Sequence, residues 1–199
     1  MNRFFLDCYI GISVVIAALD SILAIKSSQK QTATGKYLAL ACACAALVDI
    51  SYLISILTDS HLCMSVMSSV YFVTIDFMLL GLLAFTLHFI KGRFSKTTRR
   101  LMILGNVYAL FELVVFALNP FLGIAVDYIP RNTEIARYAY QMKPLYISHL
   151  VFSYVLVGTV IFLLVWKLCQ VPREYRNQYL FVIAGILAIV AVNAVFLFC

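Results

Sequence analysis

Charge is scarce in this chain: Asp, Glu, Lys and Arg together make up 12% of its 199 residues, while hydrophobic residues make up 64%. Its mean hydropathy is +0.99, and a soluble fold of this size could not supply enough polar surface to cover so much apolar surface. Proline is rare as well. The four prolines (Pro120, Pro130, Pro144 and Pro172) are expected in loops or at a helix start, where a missing N–H does no harm. Glycine-rich phosphate loops, His-Glu metal motifs and nucleophiles in a recognisable triad order are all missing, so the familiar signatures of catalysis are excluded. The chain is therefore expected to be non-enzymatic, and no cofactor or metal is expected. Six cysteines (Cys8, Cys42, Cys44, Cys63, Cys169 and Cys199) show neither metal spacing nor a paired framework and read as small buried thiols. The net charge of +6 sits in short clusters between apolar runs, which argues against a nucleic-acid partner. There is no internal repeat, low-complexity tract or Gly-Ser linker, so residues 1–199 read as one domain.

The long apolar runs decide the class. A spanning helix needs about 20 mainly apolar residues. Six segments qualify: Phe4–Ile25, Lys36–Leu57, Met64–Ile90, Leu101–Leu118, Pro144–Leu168 and Tyr179–Cys199. They show no sustained alternation, so the expected fold is an all-α polytopic transmembrane helix bundle, not a barrel. The first run is too long for the apolar core of a signal peptide, contains Asp7 and Asp20, and lacks a small-residue cleavage site, so it reads as a retained helix. Eleven of the fifteen basic residues fall in three loops, "KSSQKQTATGK", "KGRFSKTTRR" and "WKLCQVPREYR". The positive-inside rule then puts those loops in the cytoplasm and the amino terminus outside. Trp166, Tyr175 and Tyr179 sit where an inner aromatic belt belongs. Six spans from an outside start end outside on "AVFLFC", with no polar tail. A seventh span and a cytoplasmic domain are therefore expected in the intact protein, a naturally six-helix protein being the alternative.

Within the spans lie six ionisable side chains: Asp20, Asp49, Asp76, Glu112, His88 and His149. A charge at the bilayer centre costs about 2.5–3.5 kcal/mol even on the mildest scale, so such residues should face other helices. Their neighbours at helical spacing agree. Asp49 shares a stripe with Cys42, Ala45, Ala46 and Tyr52, and Asp76 follows Ser65, Ser69 and Phe72. Glu112 aligns with Gly105, Tyr108 and Asn119, and His149 with Tyr146 and Ser153. One reading of Asp49, Asp76 and Glu112 is interhelical glue. Another is a polar cavity open to the outside, lined by Asp76, Glu112, His149, Tyr146 and Asn119, that holds a small ligand or responds to protons; a proton or ion pathway is the third. His88 is expected to cap an inner helix end or to meet headgroups, not to serve chemistry. Asn119–Pro144 is the one long connection, and "NTEIARYAYQM" within it has the pattern of a short amphipathic helix on the outer membrane surface.

"LNPFLG" at Leu118–Gly123 and "KPLYISHLVFSYVLVG" at Lys143–Gly158 resemble the amino-terminal seven-helix sensory region of bacterial histidine kinases, a region that also fronts diguanylate cyclases. The matching positions are Asn119 and Pro120, then Pro144, Tyr146, His149 and Tyr154. "FTLHFIKGR" at Phe85–Arg93 looks like the end of the third helix of that family, and "REYRNQYLFVIAG" at Arg173–Gly185, with Asn193, like the start of its sixth. The sixth helix here has no proline near Ala191, and the outer loop has no tryptophan.

The resemblance implies a multi-pass sensor in a bacterial inner membrane, with a small ligand of unknown identity, an output kinase or cyclase in cis, and room for a homodimer. The sensing candidates are His149, Tyr146, Asn119, Asp76, Glu112 and Asp49. The rival class is a small transporter or proton-coupled carrier that uses the midplane carboxylates Asp49, Asp76 and Glu112.

Overall fold

A computed structural model describes residues 3–92, 94–130 and 138–198, with the side chains of 3–6, 130, 138, 139, 178 and 188–198 left aside. Among the described residues, six helices run in chain order: α1 (Arg3–Ser28), α2 (Ala33–Leu57), α3 (His61–Lys91), α4 (Lys96–Leu122), α5 (Pro144–Leu168) and α6 (Arg173–Phe198). Each expected span falls on one of them: α5 coincides with its span, the other helices begin earlier, and Cys199 at the end of the sixth span lies outside the described residues. Polar residues just before α2, α3 and α4 cap their starts. Thr32, Ser60 and Ser95 each accept a hydrogen bond from the backbone N–H three residues on, satisfying donors that the first turn leaves free. Gly92 and Gly123 close α3 and α4 in the left-handed conformation, at φ 70° and 56°, where a side chain would be strained. Among the described residues, α1 to α5 each contain a stretch long and apolar enough to cross a membrane.

Helix α3 is the hub. It packs against α2, α4 and α5, whereas α1 leans on α2 and α6 on α5. Small residues let α2 approach it closely: a Cβ on Gly81 would stand 3.2 Å from the backbone nitrogen of Ala41. Several hydroxyls along these faces are satisfied within their own helices, as Ser51 with the Val48 carbonyl, Ser69 with that of Ser65 and Thr74 with that of Val70, whereas the buried Thr86 hydroxyl has no partner among the described residues. On the far side, Val160 and Leu164 of α5 pack with Tyr179, Ile183 and Ile186 of α6.

Between α4 and α5 the chain forms an antiparallel hairpin, β1 (Val126–Pro130) and β2 (Tyr138–Met142), pairing Val126 with Met142 and Tyr128 with Tyr140. This corrects the expected amphipathic helix. Residues 138–142 are extended because their backbone groups pair with β1, and the remainder of the proposed helix, with Glu134 and Arg137, lies outside the described residues. Two prolines also depart from expectation. Pro120 sits in the last turn of α4, close enough to its end for the helix to continue, and Pro130 closes β1. Pro144 does start α5, and Pro172 precedes α6. His88, as expected, meets a helix end: its Nδ1 lies 3.1 Å from the Gly92 carbonyl.

Candidate functional site

Three helices bring three polar side chains together beneath the hairpin. Asp76 stands at the middle of α3, Glu112 lies on α4 and His149 on the second turn of α5. His149 Nδ1 is 2.7 Å from Glu112 Oε2 and 3.3 Å from Asp76 Oδ1, so one ring nitrogen serves both carboxyls. Ser153, one turn along α5, donates its hydroxyl to Asp76 Oδ1 at 3.3 Å. Asp76 is 0% exposed, and Glu112 and His149 are each 2% exposed. The other oxygen of each carboxyl, Asp76 Oδ2 and Glu112 Oε1, is buried without a hydrogen-bond partner.

Aromatic rings enclose the imidazole. Phe72 and Phe116 meet it edge-on, with centroids 5.5 and 5.3 Å away, and Tyr146 lies 5.9 Å away. Such edge-to-face contacts fix the ring plane and keep water out. Above this layer the hairpin seals the bundle, with Ala125, Val126 and Tyr128 buried against Met64, Phe72, Phe116 and Tyr146. The cluster is therefore closed, in contrast to the open cavity expected, because the loop folds back as a lid. Burial holds the Tyr128 phenol pKa above its ordinary value.

The lid is held by Asn119. Its Oδ1 accepts from the N–H groups of Ala125 at 2.7 Å and Val126 at 3.0 Å, while its Nδ2 donates to the Val126 carbonyl at 3.1 Å. All of these bonds are to backbone, so Asn119 is a brace for the hairpin. A second brace is Lys143, which donates to the Gly123 carbonyl and pairs with Asp127 at 2.8 Å.

Of the six candidates, Asp76, Glu112 and His149 meet, and Tyr146 walls them in. Asn119 lies two turns beyond Glu112, at the loop. Asp49 is apart: it is half-buried on α2, and its electrostatic neighbours are Asp20 and Tyr9 of α1. The sequence reading passed over Phe116, although it stands one turn from Glu112 on the stripe that leads to Asn119. Tyr108 approaches Glu112 and Ser148, and it also lines a shallow apolar groove of about 590 Å³ between α4 and α5, with Ile147, Val151 and Phe152. Chemically the cluster can share a proton or hold a cation, but its closed walls leave no room for a substrate.

Residues 9–199 match the family model described as the N-terminal 7TM region of histidine kinase. The chain belongs to that family. No curated protein matches it. A histidine-kinase 7TM region is a membrane sensory domain rather than a catalytic one, and the five long apolar helices agree with a multi-pass membrane protein.

Proposed function

We propose that residues 1–199 form the sensing unit of a bacterial inner-membrane receptor, in which the cluster of Asp76, Glu112 and His149 is the element that a signal rearranges. The observation that carries this reading is the 2.7 Å contact of His149 with Glu112 under the hairpin, which ties α5 to α4 through buried polar groups. Charge distribution supports six crossings with the amino terminus and hairpin outside, because the loops after α1, α3 and α5 hold most of the basic residues. A small ligand that engages the hairpin, or enters past it, would favour one arrangement of α3, α4 and α5 over another. The change passes through the bundle to the basic end and on to a cytoplasmic output domain in the same polypeptide, a histidine kinase by the family description. The shift can be no larger than the ligand's differential affinity for the two packings.

Autophosphorylation of the full-length receptor in native membranes tests this. Coupling energies between sites are typically about 1–3 kcal/mol, so His149→Gln and Glu112→Gln should change basal kinase activity by about 5-fold or more. Unchanged activity in both variants, at equal expression, contradicts the reading.

A carrier is the second reading, favoured by the meeting of two carboxyls near the middle of the bundle. The described helices are continuous and no pair of them is broken by Gly or Pro, unlike the spans around many transporter sites. Uptake by proteoliposomes that vanishes in Asp76→Asn would decide for it.

A further inference from the structure

Buried polar groups in a bundle normally find partners, and Asp76 and Glu112 each keep one oxygen without any. The lone pairs of two carboxyls and an imidazole converge from α3, α4 and α5, with one donor atom from each residue lying within 4.8 Å of the others. Their spacing is that of ligands on one ion. Bond lengths of about 2.0–2.2 Å place neighbouring ligand atoms about 3 Å apart, and the separations here are 2.7 and 3.3 Å. Charge points the same way: two carboxyls face a single imidazole, and no lysine or arginine in the sequence falls near the middle of a span to balance them.

We propose that Asp76, Glu112 and His149 bind a divalent first-row transition-metal ion under the hairpin. This deepens the sensing reading, on which it rests, by naming the class of ligand. The donor set selects the ion. Two oxygens and an imidazole nitrogen, without sulfur, suit Mn2+, Fe2+ or Zn2+ better than Mg2+ or Ca2+, which prefer oxygen alone. Ser153 donates to Asp76 Oδ1, the oxygen nearest His149, the kind of outer-shell hydrogen bond that metal-binding carboxylates keep. The three donors leave further coordination positions open. Entry requires the lid of Ala125, Val126 and Tyr128 to lift, so an ion bound beneath it would report on the state of the hairpin.

Electron paramagnetic resonance with Mn2+ as the probe tests this on tag-free protein in detergent. Mn2+ is chosen because thiolates, including the exposed Cys8 and Cys169, compete poorly for it. The expected result is one Mn2+ bound per chain, with nitrogen modulation from an imidazole ligand. Millimolar Mg2+ should not displace it, and affinity should fall at least tenfold in Asp76→Asn and Glu112→Gln. His149→Gln should lose the nitrogen signal, and circular dichroism of each variant shows whether its helices remain. Mn2+ that stays free with the wild-type chain, or binds the folded variants equally well, overturns the metal site. If that happens while the same variants still alter kinase activity, the sensing reading stands without the metal.

Discussion

His149 and Glu112 are 37 residues apart in the chain, yet their side chains meet at 2.7 Å with neither exposed by more than a few per cent. Removing either partner leaves the other polar group buried among apolar rings. His149→Ala also empties the space between Phe72, Phe116 and Tyr146. The expected loss is about 3–5 kcal/mol, read as a marked fall in the thermal unfolding midpoint in detergent. His149→Gln, which keeps a hydrogen-bonding group in place, should lose clearly less.

Asn119→Ala removes the acceptor of two buried backbone N–H groups at the start of the hairpin. Each unsatisfied donor costs about 1–3 kcal/mol. The expected outcome is faster amide exchange at Ala125 and Val126, with α2 and α3 unchanged. Exchange that rises equally everywhere would show that the hairpin is not a separable lid.

Close packing of α2 on α3 depends on Gly81. A valine there would press on the backbone of Ala41, which cannot move aside as a flexible side chain could. Gly81→Val is expected to destabilise by about 1–3 kcal/mol, in the range of overpacked cores, and Gly81→Ala by less. Thermal unfolding of the two variants side by side checks the order.

Tyr128 gives a pH dependence at the hairpin. Its pKa is raised in the folded chain by burial, so folding favours the protonated phenol. The associated stability is fully present below the unfolded value of about 10 and is lost as pH rises through the folded value. The thermal unfolding midpoint followed across that alkaline range should therefore fall more steeply for the wild-type chain than for Tyr128→Phe.

Helix positions were legible in the sequence because apolar length and capping residues act locally. The stripe of Ser65, Ser69 and Phe72 marked the inward face of α3, and all three are buried, as Asp76 is. Asp49 could not be sorted from Asp76 in the same way. Both have small or aromatic residues on their stripes, and only the packing of α1 on α2 decides which acid stays apart. The hairpin was hidden for another reason. Residues 138–142 have a pattern that suits a surface helix, and they become a strand by pairing with Val126–Pro130. Asn119 read as a pocket residue because its type and depth are those of one, while its actual partners are backbone groups six and seven residues on. The metal-like donor set is likewise invisible to local spacing, since each helix contributes a single ligand.

On the proposed reading, the cluster under the hairpin governs how the helices pack at the basic end. Spin labels at Lys96→Cys and Gln170→Cys, both exposed, in a background without the native cysteines, report the separation of α4 from α5 at that end in lipid nanodiscs. Double electron–electron resonance should show a shifted or broadened distance distribution in Glu112→Gln relative to the unmodified cluster. Superimposable distributions, with the helices intact in both, would show that the cluster does not control packing at that end.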